Sequence, residues 1–375
     1  MRQIMKEKGL GDWRKAEYRF CKKCGRIARF ENLKIMWIGK DKWMNELWCG
    51  DNIEVLKKIP DESVDLIYID PPFFSNRHYE VIWGNGAELR AFGDRWKGGI
   101  EHYIGWMVER LKGLHRILKP TGSIYVHLDW HAVHYLKVEM DKIFGYENFR
   151  NEIIWHYGQR TMRNKKKWNA KHDNILFYAK SKKTYIENII TQPWTEEEIS
   201  KSRARKIQID ENGKKFIWDN RSVKKGVLPK KQYIEDIIKK GKAVDDVWNM
   251  PIILSTSKER LGYPTQKPEA LLERIIKASS NEGDIVLDAF CGCGTTIAVA
   301  EKLNRKWIAI DVSPIAVKVT TERLNKLEKK LGKENADFIT FAVEHNERRC
   351  PLSHLPSARS TLDKRNPPIS ISGKN

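Results

Sequence analysis

Residues 64–73 read VDLIYIDPPF, an apolar run that ends in an acid, two prolines and an aromatic ring. A short apolar run of this kind predicts a buried strand. Pro71 and Pro72 restrict φ and have no amide hydrogen, so the chain leaves the strand as a rigid corner that holds the carbonyl groups of Asp70 and Pro71 in place. Ligands of open α/β folds bind at the carboxyl ends of such strands. The stretch therefore predicts a ligand-binding corner on a parallel sheet.

The same corner offers hydrogen-bond acceptors for an amine. The exocyclic amine of a purine or pyrimidine is a poor nucleophile, because its lone pair is delocalised into the ring. Asp70 and the carbonyl of Pro71 can hold the two amine hydrogens and favour a pyramidal nitrogen, while Phe73 offers a ring face for the base. The alternative is an ordinary turn at Pro71 and Pro72, with Asp70 capping a neighbouring helix. A match of four residues does not separate these interpretations, so a second motif is needed.

Three further apolar runs predict strands over residues 123–128, 285–290 and 306–311. Amphipathic stretches predict helices over residues 102–118, 268–280 and 295–303. Strands that alternate with helices in this way are typical of a parallel sheet covered by helices, which places the chain in the α/β class.

A glycine-containing turn follows the second of these runs. Residues 285–296 read IVLDAFCGCGTT, and Gly292 and Gly294 allow the backbone to approach a ligand closely. The turn lacks the Lys-Ser/Thr ending of a phosphate-binding loop, and Ile297 stands where a dinucleotide site has its third glycine. Asp311 ends the next strand, where an acid can accept both hydroxyls of an adenosine ribose. The pattern predicts S-adenosylmethionine, which has a ribose and no phosphate; an ordinary βαβ unit with a surface acid is the alternative.

The positive charge of the chain is concentrated in two stretches. The formal net charge is +20. Residues 156–250 hold 23 Lys/Arg against 12 Asp/Glu, and residues 1–46 hold 13 against 6, so the two stretches carry +18 of that charge. A polyanion is the partner that this charge favours, and charge alone leaves DNA, RNA and an acidic lipid surface open. Residues 156–250 also lack the βα alternation, which indicates an inserted module.

Composition restricts the compartment and the metal content. No apolar run approaches the roughly 18 residues that span a bilayer, and the first residues show no signal peptide. We therefore expect a cytoplasmic protein with no membrane partner. Six cysteines fit a reducing compartment better than a disulfide framework. Cys21 and Cys24 have the spacing of half a zinc site without a second pair, so no metal is predicted, and a site completed by another chain stays open.

Together these motifs resemble the amino-methyltransferases of DNA restriction-modification and solitary methylation systems. The resemblance is to the permuted β group, in which the catalytic tetrapeptide Asp70-Pro71-Pro72-Phe73 precedes the cofactor turn, and it covers residues 47 to about 320. It implies a class I, Rossmann-like fold that uses S-adenosylmethionine, with a mostly parallel seven-stranded sheet in permuted order. It also implies direct methyl transfer to a base that is flipped out of double-stranded DNA.

The resemblance extends to the cofactor contacts. Residues 262–269, GYPTQKPE, match a segment that contacts the methionine end of the cofactor. Asp51 matches an acid that reaches the adenine amine of the cofactor, although it also suits the N-cap of a helix over residues 53–59. The predicted cofactor-binding residues are Asp51, Asp70, Thr265, Lys267, Pro268, Asp288, Phe290, Gly292, Gly294, Thr295 and Asp311.

The target base follows from the first position of the tetrapeptide. In the family that the chain resembles, an Asp there favours adenine N6 and a Ser favours cytosine N4, so Asp70 indicates adenine. Phe73 departs from the Tyr that adenine enzymes most often have. The alternatives are cytosine N4, an RNA or protein-glutamine N-methyltransferase, and a DNA-binding subunit without catalytic activity.

Five segments are predicted along the chain. They are a basic N-terminal extension (1–46), the catalytic half of the methyltransferase domain (47–155), a target-recognition insert (156–250), the cofactor-binding half (251–331) and a flexible tail (332–375). Within the insert, Arg163, Lys165, Lys166 and Lys167 are predicted to contact DNA phosphates. The resemblance implies a prokaryotic, nucleoid-associated enzyme, and it leaves a cognate restriction endonuclease and a homodimer open as partners.

Overall fold

The structure, a computed structural model, describes residues 45–75, 77–82, 88–94, 96–158, 166, 168–203, 206–219, 228–332 and 338–343, together with two short strands at 18–21 and 26–29. Its strands are β1 (Tyr18–Cys21), β2 (Arg26–Arg29), β3 (Asn45–Cys49), β4 (Val64–Ile69), β5 (Arg77–Ile82), β6 (Glu88–Asp94), β7 (Leu118–Leu128), β8 (Phe149–His156), β9 (His172–Ala179), β10 (Thr191–Gln192), β11 (Gln208–Ile209), β12 (Lys215–Asp219), β13 (Lys230–Tyr233), β14 (Lys242–Ala243), β15 (Val247–Asn249), β16 (Ile285–Asp288), β17 (Lys306–Asp311) and β18 (Phe338–Ala342).

Helices connect most of the strands of the main sheet. They are α1 (Asn52–Leu56), α2 (Gly99–Ile117), α3 (Val133–Phe144), α4 (Glu196–Arg203), α5 (Ile234–Lys240), α6 (Glu269–Ser279), α7 (Thr295–Lys302) and α8 (Pro314–Lys330), with a 3-10 turn at Tyr146–Asn148. In the part of the chain that the structure describes, no helix combines the length and the apolar character needed to cross a membrane.

A sheet of nine strands forms the centre of the fold. Its spatial order is β15-β8-β9-β7-β4-β16-β17-β3-β18. Strand β9 runs antiparallel to both of its neighbours, and the other neighbouring pairs are parallel. The mostly parallel α/β sheet is confirmed, but the described residues form nine strands where seven were expected. The edge strands of the sheet are β15 and β18, and β18 lies within residues 332–375, which were predicted as a flexible tail.

Alternating residues of the central strand β4 serve two hydrophobic cores. Ile67 and Ile69 pack with the buried faces of α1, α2 and α3. Leu66 and Tyr68 point to the opposite side of the sheet, where α6, α7 and α8 pack. Because a strand in the middle of a parallel sheet is covered on both faces, all six residues of β4 are buried. The fold therefore has three layers, and the carboxyl edge of its sheet remains available for a site.

The region predicted as an insert over residues 156–250 contributes to the main sheet at both of its ends. Strand β9 contains the buried Tyr178, and β15 contains the buried Trp248. Between these strands, β11, β12 and β13 form a small antiparallel sheet, and Ile199, Ile217, Ile234 and Ile237 form its separate core with α4 and α5. The segment boundaries stay a prediction, and the part that leaves the main sheet lies between β9 and β15.

Candidate active site

The two sequence motifs emerge side by side because β4 and β16 are neighbouring parallel strands. Leu66 pairs with Val286, and Ile67 pairs with Leu287. Both strands end shortly after these pairs, at the same edge of the sheet. The corner that begins at Asp70 and the glycine turn that begins after β16 therefore flank one space, although they are far apart in the sequence.

Side chains from two flanking elements hold the corner in place. Asp94, at the end of β6, accepts hydrogen bonds from the backbone nitrogen of Phe74 at 3.0 Å and from the indole nitrogen of Trp96 at 2.8 Å. Phe74 has a φ of 64°, a left-handed conformation that is strained for a residue with a side chain. The Tyr103 hydroxyl, on α2, donates to the carbonyl of Pro72 at 2.7 Å. These bonds keep the carbonyl groups of the corner in constant directions.

Asp70 has one carboxylate oxygen in an ion pair and one without a hydrogen-bond partner among the described residues. The ammonium nitrogen of Lys267 lies 2.5 Å from Asp70 Oδ2. Asp70 Oδ1 is buried and has no hydrogen-bond partner among the described residues. A buried acceptor without a partner costs about 1–3 kcal/mol. A ligand that brings an N–H group to this oxygen therefore gains binding energy, which fits the acceptor role predicted for Asp70.

The cofactor turn is tightly folded against α8. Gly294 has a φ of 71°, and a Cβ atom at this position would lie 2.6 Å from Thr320 Cγ2. The Thr320 hydroxyl in turn donates to the carbonyl of Gly292 at 3.0 Å. A side chain at Gly294 would therefore displace α8 or open the turn. The close approach that the glycines were predicted to allow is an approach of the turn to α8 as well as to a ligand.

Two acids flank this turn, Asp288, which is buried, and Asp311, which is partly buried. Asp288 accepts hydrogen bonds from the Thr296 hydroxyl at 2.6 Å and from the backbone nitrogen of Phe290 at 3.0 Å, which turns the chain and ends β16 two residues earlier than predicted. Burial raises the pKa of Asp288 to about 7. Burial also raises the pKa of Asp311 to about 6, although Asp311 Oδ2 accepts a hydrogen bond from Gly292 N at 2.8 Å. The charged forms of both acids are therefore costly unless a positive ligand is near.

A cavity of about 560 Å³ lies between the corner and the turn. The predicted site residues that line it are Asp51, Asp70, Pro72, Thr265, Lys267, Asp288, Phe290, Gly292, Thr295 and Asp311. Pro71, Phe73, Pro268 and Gly294 are not in its lining. Pro268 is the N-cap of α6, and Gly294 is the N-cap of α7. The structure thus brings the catalytic and cofactor motifs together around one cavity, and the roles of the individual residues stay predictions.

Phe73 lies beside the cavity and packs against a histidine. Its ring and that of His127 are stacked, with centroids 5.8 Å apart and planes at 26°. Lys267 Nζ is 5.2 Å from the centre of the Phe73 ring. Phe73 is therefore in contact with two protein groups, and the base-stacking role predicted for it remains untested.

His127 belongs to a buried polar network under the corner. Its Nδ1 is 2.8 Å from the Tyr68 hydroxyl, and its Nε2 is 3.2 Å from Asp173 Oδ2. The Tyr157 hydroxyl donates to Asp173 Oδ1 at 3.1 Å. Burial alone would raise the pKa of Asp173, but the hydrogen bond with His127 brings it below its ordinary value. Because a carboxylate only accepts hydrogen bonds, Nε2 of His127 carries a proton in this arrangement.

Asp51 has one of its two predicted roles, that of a helix N-cap, and its contact with the cofactor stays a prediction. Its Oδ1 accepts a hydrogen bond from Ile53 N at 3.0 Å, so Asp51 is the N-cap of α1. Asp51 also lines the cavity and forms an ion pair with Arg110, in which Asp51 Oδ1 and Arg110 Nη2 are 2.8 Å apart. The Arg110 guanidinium lies 3.6 Å from the centre of the Trp106 ring. This cluster forms the wall of the cavity on the side of α1 and α2.

Several lining residues were not predicted from the sequence. Trp106 and Arg110 line the cavity and lie four residues apart on α2, which is the spacing of any helix face that packs on a core. Nothing in that pattern separates a cavity wall from a core. Asn52 and Tyr263, which also line the cavity, carry no motif of their own either, although Tyr263 belongs to the matched segment 262–269.

The cavity fits S-adenosylmethionine in the charge and the aromatic surface of its lining. Acid groups of Asp70, Asp288 and Asp311 line it, and the cofactor carries positive charge on its sulfonium and ammonium groups. The rings of Trp106 and Phe290 meet at a centroid distance of 5.8 Å beside it, and such rings provide apolar contacts for a purine.

Polar atoms without partners support the same fit. Asn52 Oδ1 and Arg110 Nε are buried in the cavity wall and have no hydrogen-bond partner among the described residues. Buried polar groups are normally hydrogen-bonded. An adenosine has both donors and acceptors that could satisfy an amide oxygen and a guanidinium N–H group.

The predicted DNA contacts lie mostly outside the described residues. Arg163, Lys165 and Lys167 are outside them, and Lys166 is exposed. Of the two cysteines that have the spacing of half a zinc site, Cys21 lies in β1 and Cys24 is outside the described residues. Among the residues that the structure describes, no group of His, Cys, Asp and Glu has the arrangement of a metal site.

Comparisons with known proteins give one consistent family. The N6/N4 methyltransferase model, described as DNA methylase, matches residues 64–322. DNA adenine methyltransferase YhdJ of Escherichia coli (strain K12) is 32% identical over 306 residues, which cover 82% of this chain and 91% of that protein. Type II methyltransferase M.HpaI of Haemophilus parainfluenzae is 29% identical over 306 residues, covering 81% and 79%. The solved structure of the cytosine-N4-specific PvuII DNA methyltransferase aligns at a TM-score of 0.49 with 18% identity, covering 80% of this chain and 95% of that one.

Proposed function

Because the chain belongs to the N6/N4 DNA methylase family, we propose that it methylates the N6 amine of adenine at a specific site in double-stranded DNA. The chain is a DNA methyltransferase that acts on adenine N6 or cytosine N4, and its cofactor is S-adenosylmethionine. The choice of adenine and the roles of individual residues are the proposal.

Two observations support adenine. The tetrapeptide begins with Asp70, the residue that favours adenine N6 in this family. The relative that is 32% identical to the chain is named a DNA adenine methyltransferase. Phe73, in place of the Tyr that is common in adenine enzymes, makes cytosine N4 the second candidate.

One observation carries the proposed mechanism: Asp70 lines the cavity that the glycine turn also lines, and its Oδ1 is a buried acceptor without a hydrogen-bond partner among the described residues. S-adenosylmethionine supplies a methyl group activated by a positively charged sulfur. In our proposal Asp70 Oδ1 accepts one amine hydrogen of the flipped base, and the Pro71 carbonyl accepts the other. Held this way, the nitrogen lone pair points away from the corner and towards the cofactor side of the cavity. The amine nitrogen would form the bond to the methyl carbon as the bond between the methyl group and sulfur breaks, which would leave S-adenosylhomocysteine. The proton released from the nitrogen would pass by way of the acceptor Asp70 Oδ1 to water.

The remaining residues position the two reactants. We propose that Asp311 and the turn at Gly292 hold the ribose of the cofactor, and that Asp51 and Arg110 border its adenine. Asp94 and Tyr103 keep the corner rigid. Because in-line transfer depends on orientation, such rigidity supplies a large part of the catalysis.

The basic segment between β9 and β15 is proposed to hold the DNA. This part of the predicted insert has its own core of Ile199, Ile217, Ile234 and Ile237, and it is rich in Lys and Arg. A separate basic module can contact phosphates while the base turns into the cavity, at a cost of a few kcal/mol for unstacking. The lysine run at 165–167 precedes β9 in the sequence.

Detection of modified bases in DNA tests the target directly. DNA from cells that express the chain should contain N6-methyladenine at one short sequence, and DNA from cells that express Asp70→Ala should lack it. N4-methylcytosine at a defined sequence, with no methyladenine above the control, would contradict the proposal for adenine and leave the family membership intact.

A companion restriction endonuclease and a homodimer stay predictions. The Type II methyltransferases among the relatives support the first. If a companion nuclease reads the same sequence, DNA methylated by this chain should resist its cleavage. Sedimentation equilibrium of the purified chain measures whether it forms a homodimer.

A further inference from the structure

Lys267 lines the cavity and has a partner, Asp70, that its sequence motif did not predict. We propose that Lys267 is a positioning residue, which holds Asp70 by Oδ2 and thereby presents Oδ1 to the amine of the substrate base. This inference rests on the proposed role of Asp70 as the amine acceptor. It assigns to Lys267 a part in the methyl-transfer step, separate from a contact with the cofactor.

Three contacts determine where the Lys267 ammonium lies. Its Nζ is 2.5 Å from Asp70 Oδ2, 3.5 Å from the carbonyl oxygen of Thr265 and 5.2 Å from the centre of the Phe73 ring. The side chain is 10% exposed, so water competes little for these contacts. A charge-assisted hydrogen bond of this length is among the stronger kinds in proteins. The ammonium is therefore well placed to restrict the carboxylate.

Asp70 needs such a restriction because the terminal torsion angle of an aspartate side chain has a broad distribution. Rotation about this bond exchanges the two carboxylate oxygens and tilts their plane at little cost. With Oδ2 bound to Lys267, Oδ1 is the oxygen without a partner among the described residues. The ion pair thus selects which oxygen meets the substrate and at what angle.

The charges around the cavity give a second reason for a cation at this point. Asp288 and Asp311 line the same cavity as Asp70, and the negative charges of Asp70 and Asp311 oppose the ionisation of Asp288. The Lys267 ammonium offsets this repulsion beside Asp70. A neutral side chain at position 267 would leave Asp70 free to turn away from its acidic neighbours.

The position of Lys267 in the chain links the two halves of the site. Lys267 lies directly before Pro268, the N-cap of α6, in the segment that also contains the cavity residue Thr265. Asp70 follows β4 in the other half. The contact between them therefore connects the segment predicted to meet the cofactor with the proposed acceptor of the base.

The competing explanation is that Lys267 binds the cofactor directly, as the sequence motif predicts. The two roles differ in what a substitution changes. A cofactor ligand lowers the affinity for S-adenosylmethionine when it is removed. A positioning residue lowers the rate of methyl transfer in the assembled complex and leaves cofactor affinity nearly unchanged.

The test uses the full chain with Lys267→Met, Lys267→Arg and the matched control Lys277→Met. Lys277 forms a surface ion pair with Glu273 on α6, so its substitution also removes a lysine from an ion pair, but away from the cavity. Binding of S-adenosylmethionine is measured by calorimetry. Binding of a duplex that carries the unmethylated target site is measured by fluorescence anisotropy. The methyl-transfer rate is measured in a single turnover with all sites filled.

We expect Lys267→Met to lower the single-turnover rate by about 100-fold, the order of effect that a misplaced reacting group produces. Cofactor affinity and DNA affinity should change by less than about tenfold. Lys267→Arg should recover most of the rate because it keeps the positive charge, and Lys277→Met should behave as the unsubstituted chain. Should Lys267→Met not fold, as judged by thermal melting, the rate of Lys267→Arg relative to Lys277→Met decides the question.

Two outcomes overturn the inference: a full single-turnover rate in Lys267→Met, or a loss of cofactor affinity that accounts for the whole effect. An additional variant, Asp70→Ala, separates this result from a failure of the proposed function. If Asp70→Ala retains methyl transfer, the acceptor role of Asp70 is wrong. If Asp70→Ala is inactive and Lys267→Met is fully active, only the role of Lys267 is wrong.

Discussion

Asp311 Oδ2 accepts a hydrogen bond from the backbone nitrogen of Gly292 at 2.8 Å, which joins the acid at the end of β17 to the glycine turn after β16. Asp311 Oδ1 accepts a second bond from Ser313 N at the same distance. The carboxylate is therefore fixed in orientation before any ligand arrives, and each oxygen keeps a further lone pair for a hydroxyl group. Two sequence signals that were interpreted separately thus form one structural unit.

The affinity for S-adenosylmethionine should fall as the pH is lowered from 7 to 5. Burial raises the pKa of Asp311 to about 6, so the ionised form that accepts hydroxyl hydrogens is lost as the pH falls through that value. Asp311→Asn should bind about 10- to 100-fold more weakly at pH 7, the loss expected for a charge-assisted hydrogen bond. Calorimetric titration at several pH values measures both effects.

The pH dependence of Asp311 can be separated from that of other acids. Asp288, whose pKa burial raises to about 7, titrates in both the unsubstituted chain and Asp311→Asn. Burial also raises the pKa of Asp284, which is not in the lining of the cavity, so Asp284→Asn is the matched control and should keep the original profile. An Asp311→Asn variant whose affinity still falls around pH 6 would contradict the assignment.

Alanine substitutions at two glycines should separate backbone strain from steric contact. Gly283 and Gly294 both have positive φ angles, of 83° and 71°. A Cβ atom at Gly283 meets no heavy atom within 4 Å, whereas one at Gly294 lies 2.6 Å from Thr320 Cγ2. Gly283→Ala should lower the free energy of unfolding by about 1–2 kcal/mol through strain alone. Gly294→Ala should lower it further and weaken cofactor binding.

Urea unfolding and cofactor titration of both glycine variants check this difference. Gly283→Ala should bind S-adenosylmethionine as the unsubstituted chain does. Equal losses of stability in the two variants, with unchanged cofactor affinity in Gly294→Ala, would show that the turn tolerates a side chain beside α8.

The order of the motifs and the edge at which they meet could be predicted from the sequence. Each of the strands β4, β16 and β17 ends in its own signal, and the carboxyl ends of parallel strands lie at one edge. Trp106 and Arg110 could not be assigned to the cavity, because their spacing is that of any packed helix face. The pairing of Lys267 with Asp70 could not be predicted either, because it depends on how the segment before α6 crosses the sheet.

Two differences have simple physical causes. Seven strands were expected from the family resemblance, and the sequence patterns alone indicated four. The sheet of nine strands includes the short edge strands β15 and β18, of three and five residues, which carry little periodic signal. The region of residues 156–250 was interpreted as one module because of its charge and its lack of βα alternation. Charge does not report strand pairing, so the sequence did not show that β9 and β15 lie in the main sheet.

Removal of His127 should destabilise the fold more than removal of one peripheral hydroxyl. His127→Leu leaves the Tyr68 hydroxyl without its partner and Asp173 without its histidine, and breaking a buried pair of this kind costs about 3–5 kcal/mol. Tyr157→Phe removes a single hydrogen bond to Asp173, worth about 1 kcal/mol. Urea unfolding monitored by tryptophan fluorescence measures both values. Similar losses in the two variants would mean that His127 contributes little beyond its packing.

Replacement of the basic run in the predicted insert should reduce the salt dependence of DNA binding. Each phosphate contact that is lost lowers the slope of log K against log salt by about 0.9. We expect a variant with Gln at all four basic positions to lower the slope by about 0.9 for each of these side chains that contacts a phosphate. The four positions are Arg163, Lys165, Lys166 and Lys167. Lys142→Gln, which removes a lysine paired with Glu139 on α3, is the control. An unchanged slope in the fourfold variant would place the phosphate contacts elsewhere.

Methyl transfer by Asp70→Ala, measured with labelled S-adenosylmethionine on unmethylated DNA, tests most directly whether the Asp70 corner and the glycine turn form one site. Removal of a preorganised group that acts in the transition state costs at least about 100-fold in rate. We predict a loss of this size with cofactor affinity preserved, because the turn and Asp311 remain intact. An Asp70→Ala chain that methylates DNA at the unsubstituted rate would contradict the central claim.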